Sequence, residues 1–556
     1  MRPLDWVVLF GSLAGIVTYG LYKGRGSDTV NQYLLAGKTM PWYAMALSIM
    51  ATQASAITFI STTGQSYVDG MRFIQFYFGL PVAMVILSAT AVPIFHRANV
   101  YTAYEYLEQR FDAKTRALVS AVFLIQRGLA CGLALYATAI VLTVLLGWPD
   151  WITTVLMTGL VILYTVLGGV KAVTWTDVQQ MLIIFAGLIV ALLTAILLLP
   201  GEVSFLDALA LAGAAGRLNA VDASFNLRTN YTLWSGLIGG TFLALSYFGT
   251  DQSQVQRYLT GRSIAQSRLS LLFNAVAKVP MQFVILFIGA IVFVFFVFEK
   301  PPLLFHPVEL EKIRGRAEFA EVDARFGRAF DERRSVAMGF LKAHRAGDPV
   351  QTARRVEEYR RAQKELDAAR AQGAGLAEKG NDTNYIFLTF VTRYMPAGVV
   401  GLIMAAIFAA AMSSVSAEIN SLATVTVIDI YKRHVRKAAS DREYLWASRL
   451  GTAFWGCYAM AFAQYGRELG SLIEAVNRVG SLFYGAMLGA FVLAFFFPRV
   501  RGTAAFLGVL AGEAAIFYAH LFTGIAFLWY NVLGCLVVVA TGLAVQRAAE
   551  RGRMRL

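Results

Sequence analysis

Ser413, Ser414 and Ser416 lie in the stretch Ala409-Ala410-Ala411-Met412-Ser413-Ser414-Val415-Ser416-Ala417-Glu418-Ile419-Asn420-Ser421, which follows a long apolar run. Hydroxyls clustered in such a helix suit one chemistry in particular, the holding of a hard cation. Na+ takes several oxygen ligands, and hydroxyls together with carbonyls released at an unwound helix supply them without burying a carboxylate. Ser413 and Ser416 are three residues apart and share a helical face, where an acidic residue from another helix would complete a second cation site.

Two further segments carry polar groups where an apolar run should exclude them. Ala51-Thr52-Gln53-Ala54-Ser55-Ala56-Ile57-Thr58 sets Thr52, Gln53, Ser55 and Thr58 among small residues, and Gly239-Gly240-Thr241 interrupts a later run that continues to Ser246 and Tyr247. Backbone within a bilayer must satisfy its own hydrogen bonds, so interruptions of a spanning helix point to a cavity. About five spans separate the starts of these two segments, the arrangement of two five-helix repeats inserted with opposite topology. Read alone, the residues leave close packing open as well, because small and hydroxyl side chains also let membrane helices approach.

The elements that must position these groups follow from composition. Of the 556 residues, 57% are hydrophobic and 15% charged, and the mean hydropathy is +0.57; soluble domains carry about 25% charged residues. The expectation is an all-α polytopic membrane protein of about thirteen spans. Their approximate limits are 4–22, 42–67, 71–95, 116–147, 152–169, 175–200, 234–250, 267–299, 387–428, 444–464, 468–497, 502–522 and 524–546. The run from Leu4 to Tyr22 has neither the basic start nor the cleavage site of a signal peptide, so it reads as a retained helix.

With the N-terminus outside and the C-terminus inside, basic residues crowd the cytoplasmic connections, among them Lys23, Lys38, Arg97, Lys171, Arg257, Lys432 and Arg433, and the tail adds Arg547, Arg551, Arg553 and Arg555. The outer side keeps few, such as Arg217, Arg228 and Arg467, in accord with the positive-inside rule. This distribution also explains the formal charge of +14 without nucleic acid as a partner, since a nucleic-acid surface needs a basic patch on a soluble fold. Residues 300–385 differ in kind. After Pro301-Pro302 they are charge-dense at helical spacing, which predicts a solvated helical hairpin on the outer face.

Cys131, Cys457 and Cys535 are widely spaced inside apolar runs and form neither a disulfide framework nor a metal-ligand pattern. The five histidines make no zinc or triad motif, so an enzyme is not expected.

Gly168-Gly169-Val170-Lys171-Ala172-Val173-Thr174-Trp175-Thr176-Asp177-Val178-Gln179-Gln180 closely resembles the signature of the sodium:solute symporter family. Tyr33-Leu34-Leu35-Ala36-Gly37-Lys38, Gln254-Val255-Gln256-Arg257-Tyr258 and the run from Ser413 to Asp429-Ile430-Tyr431-Lys432 agree with it in the same order. The resemblance covers roughly residues 28–500 outside the charged insert. It implies a LeuT-type fold of inverted five-helix repeats in the inner (plasma) membrane, with the lipid bilayer, sodium and a small-molecule solute as partners. On that reading residues 1–41 are an extra N-terminal helix and cytoplasmic loop, and 42–200 form the first repeat. An external loop follows at 201–233, then the second repeat at 234–497 interrupted by the insert at 300–385, and 498–556 form two flanking helices and a basic tail.

The resemblance further implies a sodium site at Ala51, Ala54, Ala410, Ser413 and Ser414. Asp177, Ser413 and Ser416 match a second sodium site of some members; Ala417 stands where those members carry serine, one oxygen fewer. Asp177 has another reading, as an ion-pair partner of nearby Lys171 or a helix cap.

For the solute, Tyr77-Phe78 and Thr58 replace the glutamate-tryptophan pair and glutamine of sugar-carrying members. The stretches Asp251–Tyr258 and Asn420–Thr426 resemble the branch that carries monocarboxylates, iodide and water-soluble vitamins. The expectation is a sodium symporter for such a solute, with sodium/sugar symport as the alternative and a channel, sensor or membrane enzyme behind it. Gln53, Thr58, Tyr77, Tyr247, Lys278 and Asn477 are the candidate solute contacts, Tyr247 matching an aromatic gate. Lys278 and Arg127 are intramembrane cations that can attract a carboxylate, and each can instead pair with protein or reach the interface.

Overall fold

Long runs of Leu, Ile, Val, Phe and Ala leave the backbone without water as a partner, and a helix is the element that satisfies every N–H and C=O within one segment. The computed structural model describes residues 1–146, 150–377, 382–464 and 471–553, and Arg467 and Arg555 lie outside them. Helices α1 (Pro3–Lys23), α2 (Val30–Leu35), α3 (Trp42–Gln53), α4 (Ala56–Asp69), α5 (Leu80–Ala89), α6 (Ala91–Ala98), α7 (Ala103–Arg110) and α8 (Ala113–Leu146) are followed by α9 (Asp150–Leu197), α10 (Phe205–Ala214), α11 (Gly240–Thr250), α12 (Gln252–Leu259) and α13 (Ile264–Phe298). The insert contributes α14 (Pro307–Arg314), α15 (Phe319–Arg345) and α16 (Pro349–Leu376). Then come α17 (Ile386–Tyr394), α18 (Val399–Val425), α19 (Asp441–Ala463), α20 (Leu472–Phe496), α21 (Gly502–Phe522) and α22 (Leu528–Arg553).

Nine helical stretches among the described residues are long and apolar enough to cross a membrane, and two of them, 56–98 and 151–197, run to 43 and 47 residues, more than the roughly 20 that one crossing needs. The second bends at Gly169, where φ 56° and ψ −155° leave the helical region. A Cβ there would come within 2.4 Å of the Tyr33 carbonyl oxygen, so glycine serves both the turn and the close approach. Polar connections begin their helices with reciprocal caps. Thr29, Thr102 and Ser204 accept from the backbone N–H three residues on, and Gln32, Glu105 and Asp207 reach back.

The most apolar window of the stretch containing α18 is 89% buried, against 28% for α1 and 33% for α21, which makes α18 the central helix. Asp5 of α1 holds its start, accepting from the Gly398 and Gly401 N–H groups at 2.6 and 3.1 Å.

Two helices are interrupted inside the protein. Between α3 and α4, Ala54 (φ −87°, ψ 71°) and Ser55 (φ −77°, ψ 170°) leave helical geometry. The second interruption is not at Gly239-Gly240-Thr241, as the sequence led us to expect. Both glycines are helical there, Gly239 closing a π-helical turn at Ser235–Gly239 and Gly240 opening α11, and the chain breaks at Asp251 (φ −80°, ψ 119°) between α11 and α12. The glycines are used for packing: Cβ atoms on Gly239 and Gly240 would lie 2.9 Å from the Leu528 and 2.7 Å from the Phe76 carbonyl oxygens. The expected span 387–428 is also two helices. Met395 is extended and Gly398 takes φ 84°, separating α17 from α18.

In the insert, α15 and α16 form a hairpin with charged pairs such as Arg354–Glu358 and Arg360–Glu357 on its outer side around an inner cluster of Leu303, Phe326, Phe330, Leu366 and Ala369. Arg333 donates to the Phe296 carbonyl at 2.5 Å and Arg345 to Asp207 at 2.7 Å, tying the hairpin to α13 and α10.

Candidate cation and solute site

At the centre of the bundle three helices meet through one carboxylate. Asp177 of α9 accepts from Ser48 Oγ of α3 at 2.5 Å and from Ser413 Oγ of α18 at 2.6 Å, and all three side chains are buried. Lys171 is directed elsewhere, 3.4 Å from the Arg25 carbonyl, so it is not the ion-pair partner of Asp177; the cation whose charge acts on Asp177 is the buried Arg257. Ser416 Oγ donates to the Ser413 carbonyl at 2.9 Å, and Ser414 Oγ lies 3.1 Å from the Ala410 and 3.2 Å from the Ala411 carbonyl oxygens. Ala51 and Ala54 stand at the α3–α4 break, where the Ala54 N–H is shared between the Met50 and Ala51 carbonyls at 2.9 and 3.1 Å. The donor set is carbonyl and hydroxyl oxygen with one carboxylate, which suits a hard monovalent or divalent cation rather than a soft metal. Among the described residues no cluster of three His, Cys, Asp or Glu side chains is placed to hold a metal ion.

Beside these oxygens lies a small cavity of about 100 Å³. Thr52, Gln53, Ser55 and Thr58 line it from the α3–α4 break, together with Tyr77, with Tyr247 from α11, Ser414 and Glu418 from α18, and Asn477 and Tyr484 from α20. Five of the six expected solute contacts, Gln53, Thr58, Tyr77, Tyr247 and Asn477, therefore line one space. Lys278 does not. Its ammonium, carried on α13, is buried without a hydrogen-bond partner among the described residues, 5.9 Å from the centre of the Tyr77 ring.

Arg127 reaches the cavity, and both terminal nitrogens of its guanidinium are committed to protein. It bonds Asp251 and the Tyr484 hydroxyl and donates to Glu418 Oε1 at 2.9 Å, and it lies 5.4 Å from the centre of the Tyr247 ring. Tyr247 is held by Gln254, whose amide donates to its hydroxyl at 2.7 Å. Asp251 also caps α12, accepting from the Ser253 N–H at 2.9 Å. The break between α11 and α12 is thus fastened to α8, α18 and α20. Ser48, Asp251, Glu418 and Tyr484 were not singled out by sequence reasoning. For Glu418 a signal existed, four residues after Ser414 and so on the same helical face.

A bundle of apolar helices, two of them interrupted beside a buried oxygen-rich site and a cavity, defines a membrane transporter fold. The sodium:solute symporter family model matches residues 33–307 and 365–512, and the chain belongs to that family. Its break falls within the charged insert. The human sodium-coupled monocarboxylate transporter 1 is 30% identical over 514 residues, covering 92% of this chain and 72% of its own. The sodium/sialic acid symporter SiaT of Proteus mirabilis is 26% identical over 97% of this chain and 94% of its own. A solved structure described as the substrate-bound outward-open state of a Na+-coupled sialic acid symporter with a novel Na+ site superposes with a TM-score of 0.77. It has 25% identity and covers 98% of each chain. Sodium is the coupling ion of this protein.

Proposed function

We propose that the protein is a symporter that imports a small organic solute with sodium by alternating access, with its N-terminus outside and C-terminus inside a plasma membrane. The sodium would be held by the Ala51, Ala54 and Ala410 carbonyls with Ser413 and Ser414, and the solute by Gln53, Thr58, Tyr77, Tyr247 and Asn477. The observation that carries this reading is that Ser414 stands at both places: its hydroxyl lies 3.1 Å from the Ala410 carbonyl, and the residue lines the cavity. Two ligands sharing a wall affect each other's affinity by the same factor, which is what coupling requires. Asp177 with Ser413 and Ser416 is the candidate second sodium site, short of one oxygen at Ala417.

The reading of the solute as a monocarboxylate, another anion or a vitamin-like molecule is supported by the relatives that the chain resembles. Sodium/sugar symport is the second reading; a cavity wall of Tyr77 and Thr58 offers fewer paired polar groups than a sugar takes.

The test is uptake into proteoliposomes of a panel of labelled monocarboxylates, sugars and vitamins with and without an inward sodium gradient. Uptake is expected for at least one solute only with the gradient, and Ser414→Ala is expected to abolish it. Uptake indifferent to sodium, with the variant active, would overturn the proposal.

A further inference from the structure

We infer that Glu418 reads the transported solute, and that this solute carries a hydrogen-bond-donating group, an ammonium or a hydroxyl, beside its carboxylate. The inference rests on the symport reading above and names the substrate class of the same cavity.

Glu418 sits one helical turn beyond Ser414 and faces the same space. Its Oε1 accepts from Arg127 at 2.9 Å, and its Oε2 is buried with no nitrogen or oxygen donor among the described residues; the Cys131 thiol beside the carboxylate is only a weak donor. Of the other polar atoms around the cavity, Gln53 Oε1, Gln126 Oε1, Arg127 Nε and Asn477 Nδ2 are likewise unpartnered. The amide atoms can exchange places by rotation of the amide. A carboxylate cannot exchange roles, because when ionised it only accepts.

Charge makes the same demand. Arg127 is shared between Glu418 and Asp251, so the buried cluster sets one guanidinium against two carboxylates. The Tyr484 hydroxyl, donating to Asp251 at 2.8 Å, is neutral and does not alter the sum. A buried acceptor left unpaired costs its full desolvation, and a donor on the solute recovers that loss only while bound. An unsubstituted carboxylate brings acceptors alone and leaves Glu418 Oε2 without a strong donor; a hydroxyl on the solute meets that acceptor, and an ammonium both meets it and offsets the excess negative charge. A hydroxy- or amino-substituted one places its donor on Glu418 and its carboxylate toward Arg127 Nε and Asn477 Nδ2.

Two sets matched in carbon number test this on the full-length protein: propanoate, L-lactate and L-alanine, and hexanoate, gluconate and L-leucine. Each is assayed by sodium-dependent uptake in proteoliposomes and by thermal shift with and without sodium. At least one donor-bearing member is expected to act at a concentration roughly tenfold or more below its unsubstituted partner, the size of one hydrogen bond made to a charged group. Glu418→Gln should weaken that member about tenfold or more and narrow the gap, while sodium alone still stabilises the variant and so shows that it is folded. If that variant does not fold, the ranking within the unaltered protein decides. Equal action of the unsubstituted acids overturns the inference, as does silence of every donor-bearing probe while sodium still stabilises the protein. If neither sodium nor any probe has an effect, the symport reading falls with it.

Discussion

Ser413 Oγ of α18 lies 2.6 Å from Asp177 Oδ1 of α9, and Ser48 of α3 occupies the other carboxylate oxygen at 2.5 Å. One carboxylate thereby joins the broken helix to the central one, next to the oxygens proposed to hold sodium. Asp177→Asn keeps the shape but removes the charge and one acceptor. The sodium concentration giving half-maximal uptake is expected to rise about tenfold, equivalent to roughly 1.4 kcal/mol, with less change in the solute KM at saturating sodium. Sodium-titrated uptake checks this, and an unchanged half-saturation would remove Asp177 from sodium handling.

Ala417 is fully buried beside this group and lacks the oxygen that the resemblance places there. Ala417→Ser adds that oxygen with little volume. If Asp177, Ser413 and Ser416 form an incomplete cation site, the variant should make sodium dependence more cooperative, moving the Hill coefficient from about one toward two, with n bounded by the number of sites. A coefficient that stays the same would show that the deficit lies elsewhere.

How much of this was legible beforehand depended on whether side-chain type or side-chain direction carried the information. Polar runs at 51–58 and 409–421 stand out because an apolar span has no other use for them, and five expected solute contacts do share a cavity. Gly239-Gly240 misled because glycine marks a helix break and a close helix approach equally well, and here Gly239 and Gly240 pack against the Leu528 and Phe76 carbonyls. The break at Asp251 was hidden in a polar run that looks like a loop; only the burial of Gln252, Ser253 and Gln254 shows that α12 lies inside the protein. Lys278 misled in a similar way. A charge within a span suggests a lining residue, but the rotation of α13 about its axis decides which wall it meets, and that depends on packing.

Gly79 faces Gly240 and Thr241 across the α5–α11 contact, and a Cβ on it would fall 2.2 Å from the Thr241 backbone nitrogen. Neither backbone can yield without moving a helix. Gly79→Ala is expected to cost about 1–3 kcal/mol, the range for overpacking a tight contact, seen as a lower Tm in detergent and a reduced uptake rate. Normal stability would mean that α5 and α11 can shift freely at this point.

The Arg345 guanidinium, hydrogen-bonded to Asp207, holds that carboxyl below the usual carboxylate range. A depressed folded value contributes stability that is present above the unfolded carboxylate value of about 3.9 and lost as pH falls through the folded one. Docking of the insert on α10 should therefore be constant between about pH 5 and 8 and weaken only below about pH 4. Hydrogen exchange in the turn between α15 and α16 reads this, and Arg345→Ala should loosen the turn at neutral pH as well. Exchange that increases on passing from pH 7 to 5 would assign the docking to other groups.

Arg127 is buried between Asp251 and Glu418, so its removal leaves two carboxylates without a counter-charge. Breaking a buried pair by deleting one partner costs about 3–5 kcal/mol, and Arg127→Met should lower the Tm sharply and end uptake. Adding Asp251→Asn and Glu418→Gln removes the unpaired charge, while the amide oxygen introduced by the first change can still accept from the Ser253 N–H and cap α12. Thermal stability should then return in large part and uptake should not, because the groups facing the solute would be neutral. Recovery of both would make the cluster a structural element alone; recovery of neither would mean that Arg127 stabilises the bundle by packing rather than by charge.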